Sequence, residues 1–372
     1  MMIKAEDLVI RLAVKVDLAE ATRLLLRLGL IMPADDEAEQ HWNRLNENNP
    51  YYKVFNEPVH RGWVMEHEGK MVGFFGTFPR IYYLDGKPFR MGIASQWGVE
   101  KEYRSFTQLL SDCFFNEHPV ETKLVTTAIK PTGRLFAKYN GHPVPSPDLI
   151  TVYMVPFRMD KLAAAKLGAK IKAPFIVNII SAMLQIISFP WRLYYRRIKK
   201  SKHVKEVDSA ALPVAFEQFW LNYLQQTKGL IADRSSETIK WFYNGGFRKL
   251  KNTVFVYEKD NTILGYASIL IEPVKDGNLN RYKIVDLIAL SDEIKLALMK
   301  HLTRYCYDAG ADVLELHLPG MLKKQDIPVF TLSRQIPSFP FYYHSSNAYI
   351  DQLLLNENQW QPSPYDGDVC LF

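Results

Sequence analysis

The chain has 372 residues, of which 48% are hydrophobic and 23% charged, the balance of a folded protein and not of a disordered one. Its net charge is +6, and outside one local segment no stripe of Lys and Arg interleaved with aromatics recurs, so nucleic-acid binding is not read from it. Phosphate-bearing ligands, acidic carrier proteins and anionic membranes remain compatible, and the length predicts two domains.

The N-terminal stretch "MMIKAEDLVIRLAVKVD" carries Lys4, Glu6, Asp7 and Arg11 and no apolar run of the signal-peptide kind, so a cytoplasmic location is expected. A helix is predicted over 18–30, then an acidic helix start holding Trp42. Strands follow over 62–68, 71–82 and 91–99, then a helix over 104–117 and a strand over 121–128. The segment "PTGRLFAKY" reads as helix, "NGHPVP" as turn and "LITVYMVPF" as strand.

Residues 160–205 differ in character. They open helix-rich, run without charge from Ala173 to Trp191, and turn basic at Arg192, Arg196, Arg197, Lys199, Lys200 and Lys202. Asn178, Ser181, Gln185 and Ser188 dilute the apolar run, and Pro174 and Pro190 bracket it, which argues against a membrane span. Two readings remain: an apolar helix on an anionic membrane surface, or an interdomain helix buried against both sheets with a solvated basic end. Beyond it a helix is predicted over 212–226, a second Trp-bearing helix start at Trp241, strands over 253–258, 262–272 and 282–290, a helix over 293–309 and a strand over 311–318.

This order repeats. Glu66 matches Glu258 and Gly73 matches Gly265, both at an offset of 192 residues, while Trp42 and Trp241 match at 199. A period this long means two copies of one domain, not a solenoid. The fold class expected is therefore α/β (α+β), two tandem domains each with a mixed, mostly antiparallel sheet flanked by helices. The boundaries read 1–158, a connecting segment 159–205, and 206–372.

The residues "ASQWGVEKEYRSFTQLL" carry a further likeness: Trp97-Gly98-Val99 as a strand end, Tyr103-Arg104 as a turn, Leu109-Leu110 as the first core face of a helix. Downstream, "GRLFAKYNGHPV" places Gly141 where a related segment has its glycine. In element order and in these residues the chain resembles the GNAT (Gcn5-related N-acetyltransferase) superfamily, in a layout similar to the Fem-type aminoacyltransferases. The resemblance implies that the pantetheine arm of acyl-CoA pairs with a splayed fourth strand and that the following turn cradles the pyrophosphate at a helix N-terminus. Trp97, Gly98, Val99, Arg104, Ser105, Phe106 and Thr107 are then the cofactor-binding candidates. The sequence departs from the family where Ser105, Phe106, Thr107 and Gln108 replace the usual glycines, and where the family's catalytic tyrosine position falls on Ala137. Read without the resemblance, "EYRSFT" is an ordinary capped turn, with Ser105 or Thr107 as cap and Arg104 in a surface ion pair. In the second copy Asp292 and Glu293 stand at the corresponding helix start, where carboxylates repel a pyrophosphate and stabilise the helix dipole themselves.

Acyl transfer to an amine needs a base, oxyanion donors and an acid for the leaving thiolate. Backbone N–H groups near Val99 are the expected donors. Glu66, Glu68 and Glu100 are the carboxylates on or beside the central strands, and alternation places Glu66 and Glu68 on one face. The catalytic candidates are Glu100 or Glu66 as base and Tyr139 as acid, with His142 beside the latter. Glu315 and His317 share a strand face in the second copy, and Asp366 and Asp368 flank Gly367 near the end of the chain. No metal is expected, because the nine histidines never take ligand spacing. The three cysteines, Cys113, Cys306 and Cys370, read as reduced buried thiols. No Gly-x-Ser-x-Gly elbow is present to suggest a hydrolase.

The reading that results is an N-acyltransferase using acyl-CoA, or acyl carrier protein as partner, with the first copy as donor site. Its acceptor is an amine, a small molecule or, if 173–203 lies on the inner face of the cell membrane, a lipid-linked or amino-sugar envelope precursor. Two alternatives stay beside it: an inactive GNAT-like scaffold at the membrane surface, and Fem-like aminoacyl transfer. No nucleic-acid partner is expected.

Overall fold

A computed structural model of the chain describes residues 3–168, 173–247, 250–272, 279–318, 322–323 and 326–367. The first half begins with β1 (Leu8–Leu12) and three helices, α1 (Asp17–Arg27), α2 (Asp35–Leu45) and α3 (Pro50–Phe55). Three long strands follow, β2 (Gly62–His67), β3 (Lys70–Leu84) and β4 (Lys87–Val99), then α4 (Thr107–Asp112) and β5 (Thr122–Val125). It closes with α5 (Lys130–Lys138), β6 (His142–Pro143) and β7 (Thr151–Pro156). The connecting segment holds α6 (Met159–Gly168), α7 (Pro174–Ile187) and α8 (Phe189–Arg197). The second half starts with β8 (Val204–Val207), α9 (Ala215–Gln226), β9 (Leu230–Ala232) and α10 (Ser236–Tyr243). Its central elements are β10 (Lys251–Lys259), β11 (Thr262–Ile271), β12 (Arg281–Ala289), α11 (Asp292–Asp308) and β13 (Val313–Leu316), ending in β14 (Leu332–Gln335), β15 (Tyr342–Ser345) and α12 (Ala348–Leu353).

Local chemistry accounts for the hairpins. Glu68-Gly69, Asp85-Gly86 and Asp260-Asn261 all have positive φ, the conformation of two-residue turns whose twist matches that of the strands they join. Glu68 is therefore a turn residue and does not share a strand face with Glu66, because the strand ends at His67. Helix α1 buries Leu18, Ala21, Leu24 and Leu25 at helical spacing against the first sheet.

Two mixed sheets result, each flanked by helices. In the first, β1, β2, β3 and β4 are antiparallel neighbours and β5 joins β4 in parallel; in the second, β8, β10, β11 and β12 do the same and β13 joins β12 in parallel. The strands beyond the parallel pairs are exchanged between halves. β15, from late in the chain, lies antiparallel between β5 and β6, with Tyr343 opposite Leu124. β7, from early in the chain, lies antiparallel between β13 and β14, with Val155 opposite Leu314. The expected boundary at 158 falls just after β7 and that at 206 falls within β8, and these two crossings run over them in opposite directions. β9 adds a further link, pairing Ala232 with Tyr82 of β3.

One continuous apolar core runs through both halves, from Leu24 and Phe74 to Leu287 and Leu298. At its centre the two matched tryptophan helices meet: Trp241 Nε1 donates to the Arg44 carbonyl at 2.8 Å, and Arg44 Nη2 donates to the Phe242 carbonyl at 2.8 Å. Beside them Arg234 and Asp286 form a two-pronged ion pair at 2.8 and 3.0 Å, both side chains fully buried. Arg80, also buried, donates to the Tyr365 carbonyl at 2.6 Å and lies over both the Phe242 and Tyr365 rings, 4.7 and 4.8 Å from their centroids.

The connecting segment corrects one expectation. Helix α8 packs on α11 through buried Tyr195 and the Lys200–Asp308 ion pair, but α7 is largely exposed and is not buried between the sheets. Among the described residues no single helix is long and apolar enough to cross a membrane; α7 and α8 together form a pair bent by 45°. Cys113 and Cys306 are buried free thiols, and Cys370 lies outside the described residues.

Three outcomes follow from this architecture. Cutting the chain between Gly168 and Ala173 should give fragments that co-purify as a one-to-one complex in size-exclusion chromatography with light scattering. The fragment ending at Gly168, expressed alone, should aggregate, because β5 would lose β15 and expose a bare edge. Replacing Asp286 by Ala should lower unfolding stability by about 3–5 kcal/mol in urea titrations, since it leaves Arg234 charged, buried and unpaired.

Candidate functional site

The strongest local distortion lies on β4. Its pairing with β3 shifts register between Phe75–Trp97 and Gly76–Ser95, so Gln96 is an extra residue, held at φ +41. This is a β-bulge, which bends the strand and re-aims its side chains. On its other edge β4 meets β5 only at Gly92–Lys123 and Ile93–Leu124. From Ala94 to Val99 that edge has no strand partner among the described residues, and the two strands diverge into a wedge. The Glu100 N–H donates to the Val72 carbonyl on the β3 side at 2.9 Å. Alternation along the strand therefore turns the N–H of Val99 towards the wedge.

Polar atoms gather around the bulge. The hydroxyl of Ser95 and the indole N–H of Trp97 are buried without a hydrogen-bond partner among the described residues. The Gln96 amide nitrogen lies 2.7 Å from His41 Nε2 on α2, and its donation places the imidazole proton on Nδ1. His41 is 2% exposed, and burial, with the charge of Arg44, pushes its pKa down to about 3, so the ring is neutral at physiological pH. Its edge packs on Phe247 of the second half, with ring centroids 5.1 Å apart. Sequence reasoning missed Ser95, Gln96 and His41, because a bulge is a property of register and no residue type announces it.

Trp97, Gly98 and Val99 do form the strand end beside the wedge. Trp97 packs against Phe75 at 5.0 Å, and Val99 joins the core with Leu110 and Phe114. Gly98 faces the other way: a side chain there would meet Leu25 and Leu28 of α1 at 2.9 and 2.7 Å. The following turn is a 3-10 helix, Lys101–Phe106, leading into the short α4 and a π-turn at Cys113–Glu117. Neither Ser105 nor Thr107 caps α4. The Thr107 hydroxyl donates back to the Arg104 carbonyl at 2.7 Å, and Arg104 is exposed and makes no ion pair among the described residues. Phe106 packs partly against the same core as Val99.

The proton-transfer candidates are not brought together. Glu66 binds Arg11 at 2.5 Å, and Arg11 also holds Asp17 at 2.7 Å, on the α1 face of the sheet. Glu100 is on that face too, 3.2 Å from Arg27, and lines a cavity of about 570 Å³ with Glu20, Glu68, Lys70 and Tyr103. Tyr139 sits on the opposite face, stacked 4.1 Å from Phe115, with its hydroxyl donating to Asp112. Burial and that carboxylate hold its phenol well above the ordinary range. His142 lies in β6, 3.1 Å from Asp351.

The second half carries a wedge of the same kind, filled. β12 also bulges, between the Ser268–Asp286 and Ile269–Ile284 pairs, and runs past β13 after Ile284. There Asp286 is bound by Arg234, with Ser363 and Tyr365 packed against the pair. At the start of α11, Ser291 caps Ile294 and Asp292 binds Lys323, so the acidic first turn is satisfied internally. Glu315 is ion-paired with Arg281 and Arg334, while His317 lies past the end of β13 with Nε2 2.6 Å from the Leu149 carbonyl. Asp366 accepts from the Ser363 N–H at 2.6 Å, and Asp368 lies outside the described residues. No group of three or more His, Cys, Asp or Glu among the described residues is arranged to hold a metal ion.

No protein-family model matches the sequence, and no curated protein matches it. Solved structures do. A GCN5-related N-acetyltransferase from Anabaena variabilis superposes with a TM-score of 0.57 at 13% identity, over 90% of this chain and 72% of that one. A conserved protein of unknown function from Enterococcus faecalis gives 0.59 at 11% identity, over 91% and 72%. A GCN5-related N-acetyltransferase from Kribbella flavida gives 0.54 at 12% identity, over 92% and 72%. Both sheets, the β4 wedge and its bulge lie within a chain that has the fold of the GCN5-related N-acetyltransferases.

Proposed function

We propose that the chain is an N-acyltransferase that takes an acyl group from a thioester of coenzyme A, or of a carrier protein's phosphopantetheine, and passes it to an amine. The open edge of β4 carries this reading: from Ala94 to Val99 it has no strand partner among the described residues, and, bulged at Gln96, it offers backbone donors and acceptors to an extended amide-bearing arm. Arg104, exposed beyond the end of that edge and without an ion pair among the described residues, is a cation available to a phosphate. The filled wedge of the second half restricts donor binding to the first.

In this reading the Val99 N–H, aimed at the wedge, stabilises the oxyanion that forms as the amine attacks the thioester carbonyl. Glu100, itself ion-paired with Arg27, is retained as the base because it follows the open edge directly and borders the charged cavity. Glu66, on β2, is held by Arg11, and Tyr139, after α5, donates to Asp112, so neither directly follows the open edge in the chain. The acceptor ammonium gives one proton to Glu100, the free amine attacks the thioester carbonyl to form the carbon–nitrogen bond, and the carbon–sulfur bond then breaks as the second proton of that nitrogen passes to the leaving thiolate.

Titrating coenzyme A, acetyl-CoA and a long-chain acyl-CoA into the purified protein should raise its melting temperature, and Arg104→Ala should weaken binding by about ten- to a hundred-fold, the loss of one charge-assisted hydrogen bond. No shift with any of them would rule out free acyl-CoA as donor, and failure of a pantetheine-loaded carrier protein to bind would then overturn the reading in favour of a scaffold. Once an acceptor amine is found, Glu100→Gln should lower kcat by about a hundred-fold or more with KM little changed. A change in KM alone would place Glu100 in binding and not in proton transfer.

A further inference from the structure

Helix α7 turns an apolar face to solvent. Phe175, Ile176, Ile179, Met183, Ile186 and Ile187 are all exposed, Phe175 and Ile186 by 74% and 75%. At helical spacing they fall on one side, while Val177 is buried and Ile180 and Leu184 are half-buried towards the protein. The chain has no acidic residue from Ala173 to Lys205. Arg197, Lys199 and Lys202, which follow α7, are exposed and make no ion pair among the described residues.

An aromatic shelf adjoins this face. Trp191 of α8 stacks on Phe330 with centroids 5.0 Å apart, and Tyr194 meets the same ring edge-on at 5.9 Å. Phe330 has φ +64, a left-handed backbone that a bulky side chain rarely adopts, and it stands beside the exposed Val329. Amphipathic aromatic rings beside an apolar helix and a cationic cluster are the components of a surface that lies in a lipid interface.

We propose that α7, with the aromatic shelf of α8, docks on an anionic lipid surface. The apolar face enters the boundary of the acyl chains, and Arg197, Lys199 and Lys202 meet the lipid phosphates. The 45° bend between α7 and α8 suits a helix pair lying along a surface. Charge selects lipid over a second copy of the chain, because a symmetric contact through α7 would bring two identical basic clusters together. This inference does not depend on the acyl-transfer reading.

The test is co-flotation of the full chain with vesicles of phosphatidylcholine alone and of phosphatidylcholine mixed with phosphatidylglycerol. The chain should float with the anionic vesicles, and less so as salt is raised. The Phe175→Glu, Ile186→Glu double variant should lower the bound fraction about tenfold, as should a separate Arg197→Glu, Lys199→Glu, Lys202→Glu variant. Every one of these side chains is exposed, so thermal unfolding followed by circular dichroism should be unchanged in both variants. Failure of the wild type to float, or equal salt-independent flotation with neutral vesicles, would overturn the proposal. A dimer in size-exclusion chromatography that the apolar variant dissociates, without vesicle binding, would instead make a second copy the occupant.

Discussion

The structure depends on a reciprocal exchange of strands. β5 and β13 are four residues each, joined in parallel to the long strands β4 and β12, and too short to terminate a sheet alone. Each is completed by an antiparallel strand from the opposite half, β15 for the first and β7 for the second. Backbone N–H and C=O groups at such edges must be paired when buried, so neither sheet is finished until the whole chain is in place. Closing loops of this length costs entropy, but the cost grows only slowly with length, while the paired edges and the shared apolar core return more. The two halves are therefore one cooperative unit in spite of their separate sheets.

The buried polar centre follows from that exchange. Because β15 lies in the first sheet, the residues after it must return across the molecule, through Trp360, to reach Tyr365 and Asp366 beside β12. They arrive where Arg234, Asp286 and Arg80 would otherwise be charged groups in an apolar core. Tyr365 supplies a carbonyl to one arginine and a ring face to both. Ions this deep are tolerable only when their hydrogen-bonding capacity is met, and here the returning segment meets part of it.

Local elements were legible in the sequence, and long-range ones were not. The period-two strands around Gly73 and Gly265, the helix ending near Asp308 and the acidic start at Asp292 all follow from spacing and capping chemistry, and their repeat at a fixed offset disclosed the paired architecture. The strand "LITVYMVPF" was also readable, but nothing in its residues says which sheet it enters. Partner choice is a property of the assembled sheet. The face expected for Glu68 failed because a two-residue turn took it at positive φ, where Gly69 beside it made the turn cheap. The site was only half legible. Val99 and the turn at Arg104 stand where expected, but Gln96 and His41 depend on a register shift that leaves no compositional trace.

The two wedges show how one backbone distortion takes opposite fates. Both β4 and β12 bulge just beyond the glycine-bearing end of their hairpin neighbour, and both run on past a shorter parallel partner. The difference lies in what each bulge carries. Ser95 and Gln96 are neutral, so the first wedge can keep a hydroxyl and an open backbone edge at modest cost. Asp286 is ionic, and in an apolar surrounding it requires a cation. Arg234 supplies one, and the Tyr365 ring lies against its guanidinium. A single carboxylate on the second strand thus brings a buried ion pair and an aromatic cover to the place where the first strand has only neutral groups.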